Sequence, residues 1–201
     1  MPLALAIVAA YVVGSIDFAV IISRMHGVDI HEVGSGNPGT SNVLRTLGKG
    51  PAIMVLLGDT LKGVIGAAMG WVAAGVSSGD PNPLGPWVFA AGFAAVVGHC
   101  YPMFHRFRGG KGVATGFGVL IFTMPLVALI IGVLWAILTK ITKTASVSSL
   151  IVVVATIPLA VWQGVSGMSW VWLVLTIALV VWRHKGNIQR MARGTEEKVS
   201  T

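Results

Sequence analysis

The sequence predicts an all-α integral membrane protein, and three observations carry that prediction. The chain is 55% apolar and only 10% charged, whereas a soluble domain carries about 25% charged residues. Apolar runs fill most of its length and leave little room for a separate soluble domain. All 14 Lys and Arg fall within residues 24–62, 106–111, 140–143 or 183–198. The expected architecture is a seven-helix bundle with some short or re-entrant helices. It forms a single transmembrane domain over residues 1–201, with a polar tail from 194 to 201 that frays at its end.

The apolar segments, each read as a helix, run in order over residues 3–23, 52–76, 87–100, 113–124, 125–138, 147–162 and 168–182. No basic residue precedes the first, so it lacks the positive flank of a secretory signal and is expected to be a retained span. A full crossing needs about 20 residues. Several segments are shorter, so some connections lie at membrane depth, where irregular backbone must be buried in protein or line a wet cavity. Pro125 separates the fourth segment from the fifth. An alternative five-span topology fuses 113–138 into one helix and puts Lys140 and Lys143 outside.

The cations set the orientation. Residues 1–23, 77–86, 122–125 and 163–169 contain no Lys or Arg. The positive-inside rule then places the N-terminus outside and the C-terminus in the cytoplasm. Asp80 is the one charge in the opposite connections. Trp87, Trp162, Trp170 and Trp172 lie near those connections, where interfacial tryptophans are favoured. The net charge of +7 does not indicate nucleic acid, because aromatic residues do not interleave with the basic ones. The single cysteine, Cys100, excludes a disulfide framework and a cysteine-based metal site.

Three polar clusters share the cationic side. The first, GSGNPGTSNVLR at 34–45, gathers Gly34, Ser35, Asn37, Asn42 and hydroxyl groups, and ends on Arg45, whose guanidinium can grip a phosphate through two parallel bonds. Just downstream, Asp59 and Lys62 share one face of an apolar helix at i,i+3. Charges at that depth must pair or face a polar cavity.

The second cluster, GHCYPMFHRFRGGKGVAT at 98–115, is the most informative. His99 ends a helix, and Arg108 and Lys111 flank the turn formed by Gly109, Gly110, Lys111 and Gly112. Glycines let backbone N–H groups converge on an anion. Walker A chemistry is excluded, because Gly112 follows the lysine where that motif needs Ser or Thr. His105 and Arg106 read as ordinary surface and topogenic groups. The third cluster, RHKGNIQRMARGTE at 183–196, pairs His184 with Asn187 at i,i+3 and ends on Glu196; its remaining cations suit a helix C-terminus facing anionic lipid.

In order, spacing and membrane context, these clusters resemble the three motifs of the bacterial acyl-phosphate-dependent glycerol-3-phosphate acyltransferase (PlsY) family, over about residues 14–196. The resemblance implies a multi-pass enzyme of the bacterial inner membrane, monomeric, with its site on the cytoplasmic side. It implies transfer of a fatty acyl group from acyl phosphate to the sn-1 hydroxyl of glycerol 3-phosphate, giving lysophosphatidate and phosphate, the first step of phospholipid synthesis. Its partners would be these two small substrates and membrane lipid, with no metal and no cofactor. Departures from the family pattern are Asp17 where proline is usual, Pro38 and Thr40-Ser41 in the first loop, and Met191 for leucine. Asp17 needs a polar neighbour.

On this resemblance the catalytic set is Ser35, Arg45, His99, Lys111, His184 and Asn187. The substrate-binding set is Gly34, Asn37, Asn42, Asp59, Lys62, Arg108, Gly109, Gly110, Gly112 and Glu196. Arg45, Lys111, His184 and Asn187 would hold glycerol 3-phosphate, with Ser35 orienting it and the Gly109 and Gly110 N–H groups cradling the donor phosphate. His99, His184 or a substrate phosphate would take the proton. No histidine is followed by Asp five positions later. An acyl phosphate is already activated, so positioning and charge stabilisation suffice without a covalent nucleophile. Covalent catalysis by Cys100 is a rival mechanism. A small anion transporter or channel is the alternative function, and it would need polar groups reaching both sides.

Overall fold

One helix organises the molecule. In the computed structural model, which describes residues 2–79 and 81–199, α4 (Lys49–Ser78) packs against α1 (Pro2–Gly14), α5 (Pro86–Cys100) and α6 (Val113–Thr123). Asp80 lies outside the described residues, as do Met1, Ser200 and Thr201. Thirty residues make α4 about 45 Å long, more than the hydrocarbon core requires. Its contacts are built from small residues, which let backbones approach. A Cβ on Gly63 would collide with the Thr115 carbonyl, and one on Gly118 would collide with the Thr60 carbonyl. Gly66 and Gly70 make the same close approach to α5.

The remaining helices are α2 (Phe18–Met25), α3 (Thr40–Leu47), α7 (Pro125–Thr142), α8 (Ala145–Trp162), α9 (Ser169–Arg183) and α10 (Lys185–Ala192), with a 3₁₀ turn at Met103–His105. No strand occurs among the described residues. Every one of the seven apolar segments is helical. Five stretches are long and apolar enough to cross a membrane, while α6 and α9 are shorter. Leu5, Leu57, Leu129, Ile141 and Val161 are among many large apolar side chains left exposed, as lipid contact requires. Trp170 and Trp172 instead pack against the core formed by α5 to α9.

The seven-segment reading differs from the structure in one local feature. The first span is broken into α1 and α2 at residues 15–17. Asp17 supplies the reason: its carboxylate accepts the Val20 N–H at 3.1 Å and caps α2. The break frees the Ile16 carbonyl, which accepts from Lys62 Nζ at 2.8 Å. The fused 113–138 helix does not form, because Met124 (φ −141, ψ 69) separates α6 from α7 and Pro125 has no N–H with which to continue a helix. The tail folds back over residues 194–199, where the Val199 N–H donates to the Lys143 carbonyl at 2.7 Å; its end, where fraying is expected, lies outside the described residues.

Candidate active site

The polar clusters converge because each sits where a helix starts or stops. The first loop is organised by Asn42, on α3. Its Oδ1 accepts the Ser35 N–H at 3.0 Å, and its Nδ2 donates to the Val33 and Ile30 carbonyls at 3.0 and 3.3 Å. Gly34, at φ +56, lies against the same amide, and a Cβ there would strike it. Asn42 and Gly34 therefore shape the loop and present Ser35. The Ser35 hydroxyl makes no hydrogen bond among the described residues and lines the cavity described below.

The second cluster closes against the end of α5. The Gly110 N–H donates to the His99 carbonyl at 3.1 Å, so it is not free to cradle an anion. The glycines here answer to packing. A Cβ on Gly109 would hit the His99 carbonyl and Pro102; one on Gly110 would hit the His99 ring and the Pro38 carbonyl. Gly112, at φ +86, ends the turn and starts α6. The free N–H groups are those of residues 111–114, which make no hydrogen bond among the described residues. They form a helix N-terminus, whose orphan donors and dipole attract anions.

His184 lies between α9 and α10. Its Nδ1 is 2.7 Å from the Val180 carbonyl, which can only accept, so Nδ1 carries the proton. Burial, only partly offset by that bond, lowers the His184 pKa to about 4. The ring is therefore neutral at pH 7, and its Nε2 is a bare acceptor. Burial also lowers the Lys111 pKa to about 8; the Glu196 carboxylate opposes the lowering, and the charges of Arg190, Arg45 and Arg183 add to it.

Two carboxylates of the tail reach this cluster. Glu196 accepts from Asn187 Nδ2 at 2.5 Å, Ser146 Oγ at 2.7 Å and Arg190 Nε at 2.9 Å. Burial by itself would raise its pKa, but those bonds and the Arg190 charge outweigh it and hold Glu196 below the usual carboxylate range. Glu197 pairs with Arg45 Nη2 at 2.8 Å. The buried Nε of Arg45 has no partner among the described residues.

These groups surround the mouth of a cavity of about 470 Å³. Ser35, Asn37, Asn42, Arg45, Asp59, His99, Lys111, Gly112, His184, Asn187 and Glu196 all line it. Apolar walls continue below them through Phe117, Leu120, Ile131, Trp135, Val152 and Leu173. Both His99 and Phe89 of α5 line it, and the ten helical steps from one to the other span about 15 Å. The space is a polar mouth on an apolar shaft.

Several expected substrate-binding residues lie elsewhere. Lys62 is buried away from the cavity wall, held by Ile16 and by Asp59 Oδ1 at 2.8 Å. Arg108 is exposed and does not line the space. Gly34, Gly109 and Gly110 are absent from the wall because they serve loop packing. Asp59 reaches the wall beside His99, whose Nδ1 is 3.5 Å from Asp59 Oδ1. Glu196 reaches it too, but as an anion already bonded to three side chains it holds Asn187 and Arg190 in place. Cys100 is fully buried among apolar side chains and does not line the cavity. The sequence reading did not single out Ser146, Ser149, Arg190 or Glu197, all of which line it. The serines at 146, 148 and 149, polar residues in an apolar helix, were a usable signal.

Comparison with known proteins agrees with this geometry. A family model described as glycerol-3-phosphate acyltransferase matches residues 4–194. The glycerol-3-phosphate acyltransferase of Rubrobacter xylanophilus is 42% identical over 198 residues, covering 96% of this chain and 94% of the relative. That of Neisseria meningitidis is 40% identical over 199 residues, covering 96% of each. The crystal structure of PlsY, an integral membrane glycerol 3-phosphate acyltransferase, in its glycerol 3-phosphate form superposes with a TM-score of 0.90 at 34% identity, covering 100% of this chain and 97% of that one. Its lysophosphatidic acid form gives 0.87 at 33%, covering 98% and 95%.

Proposed function

The chain belongs to the glycerol-3-phosphate acyltransferase family, and from that premise we propose that its acyl donor is a fatty acyl phosphate and that its acceptor is the sn-1 hydroxyl of glycerol 3-phosphate. The products are lysophosphatidate and inorganic phosphate. The observation that carries this reading is the cation-lined mouth joined to an apolar shaft. It suits a donor with a small anionic head and a long apolar tail. The cation distribution supports a mouth on the cytoplasmic side of the inner membrane. An anion transporter would need charged groups along the shaft, where Phe89 and Leu173 stand with Thr156 and Thr176, whose hydroxyls are bonded to their own helices.

In this mechanism the acyl tail lies along Trp135, Val152 and Leu173. The donor phosphate sits on the amides of residues 111–114. Arg45, with its unpartnered Nε, and Arg190 take the phosphate of the acceptor. Lys111 lies between the two anions and neutralises charge as it builds. The bare Nε2 of His184 accepts a hydrogen bond from an acceptor hydroxyl, and Ser35 and Asn187 complete its orientation. A histidine with a pKa of about 4 is too weak a base at neutral pH. His99, beside the Asp59 carboxylate, takes the proton. The sn-1 oxygen attacks the acyl carbon, an ester C–O bond forms, and the bond to phosphate breaks with its electron pair leaving on phosphate.

The direct test supplies purified protein with glycerol 3-phosphate and one donor at a time. Lysophosphatidate and stoichiometric phosphate are expected from acyl phosphate, and no product from acyl-CoA or acyl carrier protein. Turnover with acyl-CoA alone would sink the donor assignment. A second expectation concerns Glu197, which occupies the guanidinium that the acceptor phosphate needs. The Glu197 side chain is 43% exposed, so the ion pair is worth about 1 kcal/mol or less. Glu197→Gln should lower KM for glycerol 3-phosphate about two- to fivefold in initial-rate assays. A raised KM would mean that Glu197 instead holds Arg45 in place for the substrate.

A further inference from the structure

Arg183 is the last residue of α9 and stands behind the glycine turn, not in the cavity wall. Its Nη2 donates to the Gly109 carbonyl at 2.6 Å and its Nε to the Gly110 carbonyl at 3.0 Å. The guanidinium also lies over the Tyr101 ring, 5.0 Å from its centroid. Tyr101 is fixed in turn by the Tyr11 hydroxyl, which donates to the Tyr101 carbonyl at 2.9 Å. One cation thus grips two consecutive peptide groups from a platform tied to α1.

Peptide groups are planar, with C=O and N–H pointing in opposite directions. Fixing the Gly110 carbonyl on Arg183 therefore aims the Lys111 N–H the other way. Fixing the Gly109 carbonyl aims the Gly110 N–H at His99, where it bonds. Glycine peptides have little intrinsic preference for one orientation. Turned over, the Gly110 carbonyl would stand in place of the Lys111 N–H, where an anion must sit, and the Gly109 carbonyl would face the His99 carbonyl. We propose that Arg183 is a positioning residue for the donor phosphate: it locks the Gly109 and Gly110 carbonyls away from the cavity, so that the amides of residues 111–114 and the Lys111 side chain face the donor. This rests on the reading that the donor phosphate occupies the start of α6. Lysine cannot replace it, because an ammonium is a point donor without the planar fork.

The experiment compares Arg183→Gln and Arg183→Lys with the parent protein in two ways. In initial-rate assays, both variants should lose about 10- to 100-fold in kcat/KM for acyl phosphate, as expected for misplaced catalytic groups, with KM for glycerol 3-phosphate within about twofold and the thermal midpoint in detergent retained. Added guanidinium ion at millimolar concentration should restore part of the Arg183→Gln activity. In hydrogen exchange without substrate, the backbone amides of residues 108–114 should exchange faster in both variants, while α4 is unchanged. The exchange measurement needs no donor, so it tests the locking of the turn even if the donor assignment fails. Full activity in Arg183→Lys would show that charge alone matters and overturn the proposal. So would unchanged exchange at residues 108–114, or an equal loss of affinity for both substrates.

Discussion

Lys111→Ala is expected to lower kcat/KM by about 10²–10³-fold, the usual loss when one donor to a developing oxyanion is removed. Folded protein should remain in the membrane. The side chain comes from a connection between helices, not from one of the packed small-residue contacts of α4. In the proposed mechanism its ammonium serves two anion positions, one at the start of α6 and the other at Arg45 and Arg190, which line the same cavity. Near-normal kcat/KM in purified Lys111→Ala would remove the anion-site assignment altogether.

The same residue predicts a pH profile. Burial brings the Lys111 pKa down to about 8 in the substrate-free protein. The ammonium is charged below that pH and neutral above it, so kcat/KM should fall as pH rises through about 8. The profile of kcat/KM reports the free enzyme, whereas kcat reports the bound complex. Two bound phosphates favour the charged form, so the corresponding fall in kcat should lie at higher pH. Lys111→Arg should move the alkaline limb of kcat/KM upward, because a guanidinium stays protonated. A limb that stays near pH 8 in that variant would assign it to another group.

Gly110→Ala is the second large expected loss, about 10²-fold in kcat, the scale expected when a reacting group is displaced by about 1 Å. The added methyl would meet the His99 ring on one side and the Pro38 carbonyl on the other. The first and second clusters could no longer close together, and the proposed base would be pushed from its place beside Asp59. KM for glycerol 3-phosphate should change little, because Arg45, Arg190 and His184 are untouched. His99→Asn should reproduce the fall in kcat without the steric push. If Gly110→Ala lost activity while His99→Asn kept it, the glycine would matter to the loop alone and the proton would go elsewhere.

These expectations show which parts of the site could be read without coordinates. The six residues expected to be catalytic come from loops and helix ends in three separate stretches of the chain, yet all six line one cavity. Their chemistry was legible because membrane segments are poor in polar side chains, so Ser35, Arg45, His99, Lys111, His184 and Asn187 stood out against an apolar background. The roles of the glycines were less legible. A Gly-Gly-Lys-Gly turn suggests amides turned to an anion, but a glycine kept for closeness looks the same in sequence as one kept for a free N–H. The Gly110 N–H bonds to His99, and the free donors begin one residue later. Lys62 misled for a related reason. A buried lysine signals a polar partner, and here the partner is the carbonyl released by a break some 46 residues earlier in the chain.

Composition, helix-length apolar runs and the placement of 14 cations determined by themselves that this is a helical membrane protein with its polar chemistry gathered into three clusters. Those features are local, because lipid forces each span to satisfy its own backbone and exclude charge. Tertiary structure decided which polar groups face the cavity and which hold the walls. It turned Arg183 onto two glycine carbonyls, Asn42 onto its own loop and Glu197 onto Arg45. The Arg183 and Glu197 bonds join residues distant in sequence, so they exist only once the helices have packed.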